Sequence, residues 1–327
     1  MKKTIKSLLF RALPEDLYVR WAPVLLPLFN FKRLGSRCKA GRIDGEIFEC
    51  ITHGRSWRFV GASRVDRYIW PKGLEVAKSK MRSKYLHHDW LLPDDAIILD
   101  VGANAGEFTA AVVEQSKIVA SFEPDPAVFR CLSFNLSNHP NCDLVNAAAG
   151  DENGSKRFYL ANQDADSSLI EPDEFVSTID VNCVRLDDWI DKAGISQITL
   201  MKVEAEGFEP EVLKGAERAL QRTQYVSVDA SPERKGMDTR DDVCRMLVAS
   251  GFSVQVSGYM VYAEKPRTAL YPHLALDKRF RARYCAGHVG AEPDQTHVES
   301  ACERGAGASA DWGSAGTAPY RSGGHPV

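Results

Sequence analysis

The segment Asp100-Val-Gly-Ala-Asn-Ala-Gly106 follows the apolar run Ala96-Ile-Ile-Leu99 and leads into an amphipathic stretch that begins at residue 105. An apolar run of this kind predicts a buried strand, and the amphipathic stretch predicts a helix. Gly102 and Gly106 allow the backbone to approach a ligand closely, and the amides that open the helix can donate to a carboxylate or phosphate. The segment therefore predicts the strand, loop and helix of a nucleotide-type site in an α/β fold.

The alternation of apolar runs and helical segments continues along the chain. It predicts strands at 96–101, 118–122, 143–147, 198–203, 225–229 and 252–256, and helices at 105–116, 126–138, 208–222 and 238–250. Strands that alternate with helices imply parallel strands joined by right-handed crossovers. We therefore expect a doubly wound, mostly parallel sheet with helices on both faces and a ligand site at the carboxyl ends of its strands.

The loop after the first strand argues against a dinucleotide site, because Asn104 and Glu107 occupy positions that the fingerprint G-x-G-x-x-G reserves for glycine. Asp100 suits a cationic ligand group such as an amine. Glu123, at the end of the second strand, is placed to accept both hydroxyls of an adenosine ribose. Asp151 follows the third strand, where an adenine amino group usually points, although taken alone it is more often a turn residue. Together these residues fit S-adenosylmethionine better than NAD.

The strand predicted at 198–203 ends in titratable residues. Lys202, Glu204 and Glu206 alternate along an extended segment and so share one side of it. Glu204 and Glu206 are both candidates for a general base, with Lys202 lowering their pKa or fixing their orientation; a solvated run of charges is the alternative. Glu204, Glu206 and Asp229 also offer oxygen ligands for Mg²⁺, but no His or Cys spacing singles out a metal site, and we predict none.

Several further motifs recur in one order along the chain. They are Asp-Val-Gly-Ala-Asn-Ala-Gly at 100–106 with Thr109, Phe-Glu-Pro at 122–124, Asn135, Gly150-Asp151, Ser167-Ser-Leu169, Leu186-Asp-Asp188, Lys202-Val-Glu-Ala-Glu-Gly207 and Val212-Leu-Lys-Gly215. With these motifs, residues 94–264 resemble the FkbM-type S-adenosylmethionine-dependent methyltransferase family. The resemblance implies a class I methyltransferase (Rossmann-like) fold, a seven-stranded sheet whose last strand, Tyr259–Tyr262, runs antiparallel. It also implies methyl transfer to an oxygen, typically a hydroxyl on a sugar or a natural product.

The resemblance and the residue pattern together define the candidate site. The cofactor-binding candidates are Asp100, Gly102, Ala103, Asn104, Gly106, Thr109, Glu123, Pro124 and Asp151; the catalytic candidates are Lys202, Glu204 and Glu206; and the substrate-binding candidates are Ser167, Ser168 and Asp229. Two positions depart from the family pattern, since Glu204 stands where Asp is usual and Asp229 where Glu is common. Both changes keep the charge and move it, so the acceptor or its geometry is expected to differ from that of a typical member.

The net charge of −3 hides an uneven distribution of charged residues. Residues 1–90 hold 19 Lys and Arg against 8 Asp and Glu, whereas residues 91–264 hold 14 against 30. An acidic domain favours a sulfonium cofactor, and a basic region beside it indicates an acceptor that carries an anionic group or is presented at a membrane surface. The basic region has no nucleic-acid motif and no aromatic interleaving, so no nucleic-acid partner is expected.

The chain divides into five predicted parts. They are a basic and apolar helical segment at 1–35, a hairpin (45–60) and helix (72–88) extension at 36–90, the methyltransferase domain at 91–264, a basic extension at 265–284 and a disordered Gly/Ala-rich tail at 285–327. The first segment either packs its apolar side on the main domain or lies on anionic lipid. No apolar run is long enough for a transmembrane helix, and the eight scattered cysteines indicate reduced thiols in a cytoplasmic protein.

The activity expected from all these features is S-adenosylmethionine-dependent O-methylation of a small-molecule or glycan acceptor. Two alternatives stay open. One is a non-catalytic binding module on a methyltransferase fold, although its cofactor loop looks intact. The other is an NAD-dependent oxidoreductase, which the glycine spacing disfavours.

Overall fold

The computed structural model describes residues 13–30, 38–52, 54–68, 73–161, 167–172 and 175–266. In chain order the strands are β1 Cys38–Asp44, β2 Ile47–Thr52, β3 Arg55–Val60, β4 Ala96–Val101, β5 Ser116–Phe122, β6 Cys142–Val145, β7 Ala148–Ala149, β8 Gly154–Leu160, β9 Ser177–Val184, β10 Ile198–Val203, β11 Thr223–Asp229, β12 Ser253–Ser257 and β13 Met260–Glu264. The α-helices are α1 Glu15–Asn30, α2 Gly73–Tyr85, α3 Glu107–Val112, α4 Pro126–Asn135, α5 Leu186–Lys192, α6 Glu209–Lys214, α7 Glu217–Gln221 and α8 Arg240–Ala249, with 3₁₀ turns at Ala62–Arg67 and Val113–Gln115.

The main sheet has seven strands in the order β12-β13-β11-β10-β4-β5-β6. Its central pairs, β10 with β4 and β4 with β5, are parallel, while β13 runs antiparallel to both β11 and β12. The α/β sheet and its antiparallel last strand confirm the predicted fold class. Residues of β4, β10 and β11 such as Leu99, Met201 and Val226 are fully buried, as expected for strands covered by helices on both faces.

Register aligns the carboxyl ends of the central strands. Asp100 on β4 lies opposite Lys202 on β10 and opposite Ser121 on β5. The polar residues that follow these strands therefore meet at one edge of the sheet, where a doubly wound fold binds its ligands.

Two predicted helices differ most from those observed. The helix predicted at 208–222 is broken into α6 and α7 around Gly215, where an added Cβ would lie 1.8 Å from the carbonyl oxygen of Gly150. The helix predicted at 105–116 is shorter, because α3 ends at Val112 and passes into a 3₁₀ turn.

The regions outside the main sheet form two small sheets. The predicted hairpin at 45–60 is confirmed as β2 and β3, and β1 adds a third strand. In the stretch 155–185, for which no strand is predicted, β8 and β9 form an antiparallel hairpin, and β7 pairs with β9.

The extension packs on the main domain, predicted at 91–264, through α4. One hydrophobic cluster joins Phe59 and Tyr68 of the extension to Leu132 and Leu136. The side-chain amide of Asn135 donates to the carbonyl oxygens of Arg58 and Ala105, both at 2.8 Å, and accepts from the backbone N–H of Arg58 at 2.7 Å. Asn135 thus ties the extension to the loop that follows β4.

Helix α1 buries Tyr18, Val19 and Ala22 and packs against β1 and the 3₁₀ turn of the extension. That the segment packs on the main domain stays a prediction. The basic residues expected to contact lipid at 1–12, the extension beyond residue 266 and the tail at 285–327 lie outside the described residues. No helix in the described ranges combines the length and the apolar character needed to cross a bilayer.

Candidate active site

A cavity of about 580 Å³ opens at the carboxyl ends of β4, β5 and β10. This volume lies in the range of small-molecule sites. Its walls come from three parts of the chain: the loops of the main sheet, the β8–β9 hairpin and the N-terminal extension. Of the predicted site residues, those that line it are Gly102, Ala103, Asn104, Glu123, Pro124, Ser167, Lys202, Glu204 and Glu206.

Gly102 is required by a contact within the protein. Its φ is +73°, and an added Cβ would lie 1.8 Å from the carbonyl oxygen of Glu204. The predicted role of Gly102 was close approach to a ligand, but its missing side chain makes room for the loop that follows β10. Gly106 also has a positive φ, and its missing side chain leaves room for Leu132 of α4; it does not line the cavity.

Glu123 reaches the cavity from the end of β5. Its two carboxylate oxygens accept from the backbone N–H groups of Asn104 and Asp125, each at 2.9 Å. Burial raises the pKa of Glu123 to about 7, against the opposing effect of these two hydrogen bonds. A carboxylate in this position can accept the hydroxyls of a ribose.

Asp100 and Thr109 lie beneath the cavity and do not line it. The hydroxyl of Thr109 donates to Asp100 Oδ2 at 2.6 Å, and Lys202 Nζ lies 3.1 Å from Asp100 Oδ1. All three side chains are buried. The cation that Asp100 pairs with in the structure is therefore the ammonium of Lys202, where the prediction placed a ligand amine.

The Lys202 ammonium also fixes the loop after β4. It donates to the carbonyl oxygens of Val101 at 3.1 Å and Gly102 at 2.7 Å. Burial alone would lower the pKa of Lys202, but the carboxylates of Asp100 and Glu204 raise it above the ordinary lysine value. The charged side chain of Lys202 thus connects β10 to the Gly102–Asn104 loop that follows β4.

Glu204 is held between two ammonium groups. Lys84 Nζ lies 2.8 Å from its Oε1, and Lys202 Nζ lies 3.5 Å from its Oε2. Burial alone would raise the pKa of Glu204, but these two lysines lower it to about 2. Lys84 comes from α2 in the extension, and no sequence pattern singles it out as a site residue.

Glu206 occupies a strained position on the cavity wall. Its φ is +51°, and its carbonyl oxygen accepts from the Ser168 hydroxyl at 2.7 Å. Its carboxyl group hydrogen-bonds to that of Glu233, whose pKa is raised to about 7 by burial in spite of that bond. Glu233, in the loop after β11, is a second residue that the sequence patterns do not reveal.

Besides Asp100, Gly106 and Thr109, three further predicted residues lie outside the cavity lining. Asp151 is paired with Lys214 at 3.0 Å and Lys156 at 3.7 Å, and these contacts lower its pKa. Asp229 is paired with Lys84 at 2.6 Å, and Ser168 is buried under the Glu206 loop. Asp151 is therefore engaged by two lysines and does not line the cavity, and its contact with an adenine stays a prediction.

A group of possible metal ligands lies elsewhere among the described residues. His87, His88 and Asp89 bring their ligand atoms within 4.8 Å of one another, a cluster that the sequence analysis above does not predict. None of the three lines the cavity.

The sheet order, the antiparallel β13 and the cavity at the carboxyl ends of β4, β5 and β10 together define a class I methyltransferase fold. Residues 100–254 match the family model described as the methyltransferase FkbM domain. This match and the similarity to relatives named NoeI and FkbM confirm the resemblance for residues 100–254. A match to a methyltransferase domain weighs against the oxidoreductase alternative.

Three curated relatives are similar to this part of the chain. The 2-O-methyltransferase NoeI of Sinorhizobium fredii is 29% identical over 42% of this chain and 65% of its own length. The hexuronic acid methyltransferase AglP of Haloferax volcanii is 27% identical over 50% of this chain and 66% of its own length. The 31-O-demethyl-FK506 methyltransferase FkbM of Streptomyces tacrolimicus is 30% identical over 41% of this chain and 65% of its own length. The chain thus spans slightly less than two thirds of each relative.

Proposed function

We propose that this protein transfers a methyl group from S-adenosylmethionine to a hydroxyl of a sugar or natural-product acceptor. The observation that carries the proposal is the cavity formed by the Gly102–Asn104 loop, the Glu123 carboxylate and the end of β10. The family match supports methyl transfer, the names of NoeI and FkbM support an oxygen acceptor, and the name of AglP supports a sugar acid as acceptor.

The residues present fit the cofactor. Glu123 would hold the ribose hydroxyls, and the segment 147–149, which borders the cavity, would lie beside the adenine. The carboxylates of Glu204 and Glu206, which line the cavity, favour binding of a cofactor with a positively charged sulfur. When bound, S-adenosylmethionine supplies a methyl group on a sulfonium that is displaced in line by a nucleophile.

The chain's own task is to orient the acceptor and take its proton. As the hydroxyl oxygen bonds to the methyl carbon and the sulfur–carbon bond breaks, the hydroxyl proton passes to a base. A carboxylate with a pKa of about 2 is a poor proton acceptor at neutral pH, which disfavours Glu204. We infer that Glu206, which lines the cavity beside Glu233, is the base and that Glu204 binds the acceptor.

The test uses the purified full chain. Calorimetry with S-adenosylmethionine and NAD is expected to show binding of the first alone. Transfer of a labelled methyl group is then screened against neutral sugars, uronic acids, hydroxylated natural products and RNA, and label is expected in one of the hydroxylated small molecules. Failure to bind S-adenosylmethionine would contradict the proposal, and binding with no transfer to any acceptor would favour the non-catalytic module.

A variant pair tests the choice of base. Glu206→Gln is expected to lower kcat by about 10²-fold or more, the usual contribution of a general base, with little change in cofactor affinity. Glu204→Gln is expected to act mainly on the acceptor KM. The reverse pattern would make Glu204 the base.

A reducing compartment such as the cytoplasm is part of the proposal. Among the described residues, Cys131, Cys142 and Cys183 are free thiols. Burial raises the pKa of Cys131 to about 12 and that of Cys183 to about 11, so both stay protonated and unreactive. Thiol titration under native conditions is expected to modify neither.

A further inference from the structure

Lys84 links the N-terminal extension to two strand ends of the methyltransferase domain. It lies near the end of α2, outside the family match at 100–254. Its ammonium is 2.8 Å from Glu204 Oε1 and 2.6 Å from Asp229 Oδ2. Glu204 follows β10 and Asp229 ends β11, so one side chain from the extension bridges two adjacent strands of the sheet.

The Lys84 backbone is also held in place. The Tyr262 hydroxyl on β13 donates to the carbonyl oxygen of Lys84 at 2.6 Å. The ammonium lies 4.7 Å from the ring centroid of Tyr85, close enough for a cation–π contact. A lysine side chain normally loses considerable rotamer entropy when it is fixed, and these contacts offset that loss before any acceptor binds.

The charges around Lys84 form one network. Lys202 pairs with Asp100 and Glu204, and Lys84 pairs with Glu204 and Asp229. With all five groups ionised the network carries one net negative charge, which a sulfonium would balance. Without Lys84 the network would carry two net negative charges, and its only ammonium in contact with Glu204 would be that of Lys202.

We propose that Lys84 is a positioning residue of the acceptor site, which fixes the side chains of Glu204 and Asp229 so that Glu204 accepts a hydrogen bond from the acceptor. The inference rests on the proposed function of the cavity. It assigns the extension a part in the active site, because Lys84 itself lines the cavity. The domain at 100–254 would then be incomplete without residues 73–85.

Lys84→Met in the full chain removes the charge and keeps the length of the side chain. The acceptor KM is expected to rise about tenfold or more, while the dissociation constant for S-adenosylmethionine stays within about twofold. Lys80→Met, an exposed position one turn earlier on α2, is the matched control and is expected to change neither. Lys84→Arg, which keeps the charge, is expected to restore part of the acceptor affinity.

A second readout does not depend on activity. NMR follows the chemical shift of the Glu204 carboxyl carbon as the pH is changed. The signal is assigned by its absence in Glu204→Gln. Because Lys84, together with Lys202 and Tyr85, lowers the pKa of Glu204, Lys84→Met is expected to raise the titration midpoint by about one pH unit or more. If Lys84→Met does not fold, Lys84→Gln serves in both measurements.

The outcomes separate this inference from the proposed function. If the wild-type protein methylates no acceptor, the proposed function fails and the Glu204 titration still decides whether Lys84 controls that carboxylate. An unchanged titration in Lys84→Met overturns the inference, even if the KM rises, because Lys84 would then contact the acceptor itself. The inference would also be overturned if Lys84→Met weakened cofactor binding as much as acceptor binding and lowered thermal stability as well. Lys84 would then be purely structural.

Discussion

Glu123 carries a pKa of about 7, so its charge changes in the physiological range. Only the carboxylate can accept two ribose hydroxyls, and protonation removes one of these acceptor sites. We predict that affinity for 5′-methylthioadenosine, which has the ribose but no titrating group near neutrality, falls about tenfold from about pH 8 to about pH 6. Calorimetry at both pH values measures it. Glu123→Gln is expected to bind weakly and without pH dependence, and a flat wild-type profile would contradict the prediction.

Substitution of Gly102 tests why the Gly102–Asn104 loop needs glycine: for its backbone conformation, or for the space that a side chain would fill. Ala at this position must adopt a φ of +73° and places its Cβ 1.8 Å from the Glu204 carbonyl oxygen. Gly258 has a similar φ of +63° and no atom within 4 Å of an added Cβ. We predict that Gly258→Ala costs about 1 kcal/mol of unfolding free energy and that Gly102→Ala costs about 3 kcal/mol or more. Urea unfolding measures both, and equal costs would mean that conformation alone matters.

The elements that were predicted well are those whose signal is local. The bounds of β4 and β10 are the predicted ones because each is an unbroken apolar run with polar neighbours. The break between α6 and α7 was missed because it depends on Gly150, 65 positions from Gly215 in the chain. In β9 the apolar residues Ile179, Val181 and Cys183 alternate with polar residues, a strand signal that the prediction did not use. Its partner β8 begins with the polar run 154–157 and carries no such signal.

The same distinction applies to the site. Glu123 and Lys202 could be predicted because each ends a strand of the sheet, and the fold brings such ends together. Lys84 could not, because its approach to Glu204 joins residues 120 positions apart. The pairing of Asp151 with Lys214 likewise depends on where α6 packs, which no local pattern reveals.

Helix α6 begins with a carboxylate that organises the loop after β10. Glu209 Oε1 accepts from the backbone N–H groups of Ala205 at 3.1 Å and Gly207 at 3.0 Å, and its Oε2 accepts from the Thr239 hydroxyl at 2.7 Å. Glu209 is fully buried. Glu209→Gln replaces one acceptor oxygen by a donor, so we predict a loss of about 2 kcal/mol in urea unfolding.

The matched control for this change is Glu217→Gln in the first turn of α7, where the side chain is exposed. Its cost is expected to stay below about 0.5 kcal/mol. Because the Glu209 contacts hold the loop that carries Glu206, hydrogen exchange of the Ala205 and Gly207 amides is expected to speed up in Glu209→Gln alone. Unchanged exchange would mean that other contacts hold the loop.

The chain as a whole separates a basic N-terminal region from an acidic domain. Helix α1, in the basic region, packs against β1 and the 3₁₀ turn Ala62–Arg67, and two residues of that turn, Arg64 and Arg67, line the cavity. The opposite face of α1 exposes Leu17, Trp21 and Val24, by 43%, 50% and 43%. An apolar face with a tryptophan, next to a basic segment, has the character of a surface that lies on anionic lipid.

We predict that the full chain sediments with vesicles containing phosphatidylserine and not with neutral phosphatidylcholine vesicles. Binding is expected to weaken as salt rises from about 50 to about 500 mM, because screening reduces the attraction of lysine and arginine to the lipid. The double variant Leu17→Ser and Trp21→Ser should lose most of the binding. Val76→Ser, which removes a comparably exposed apolar side chain from α2, should keep it. If the double variant instead changes the oligomeric state without vesicles, this face is an interface between copies, and the lipid assignment is wrong.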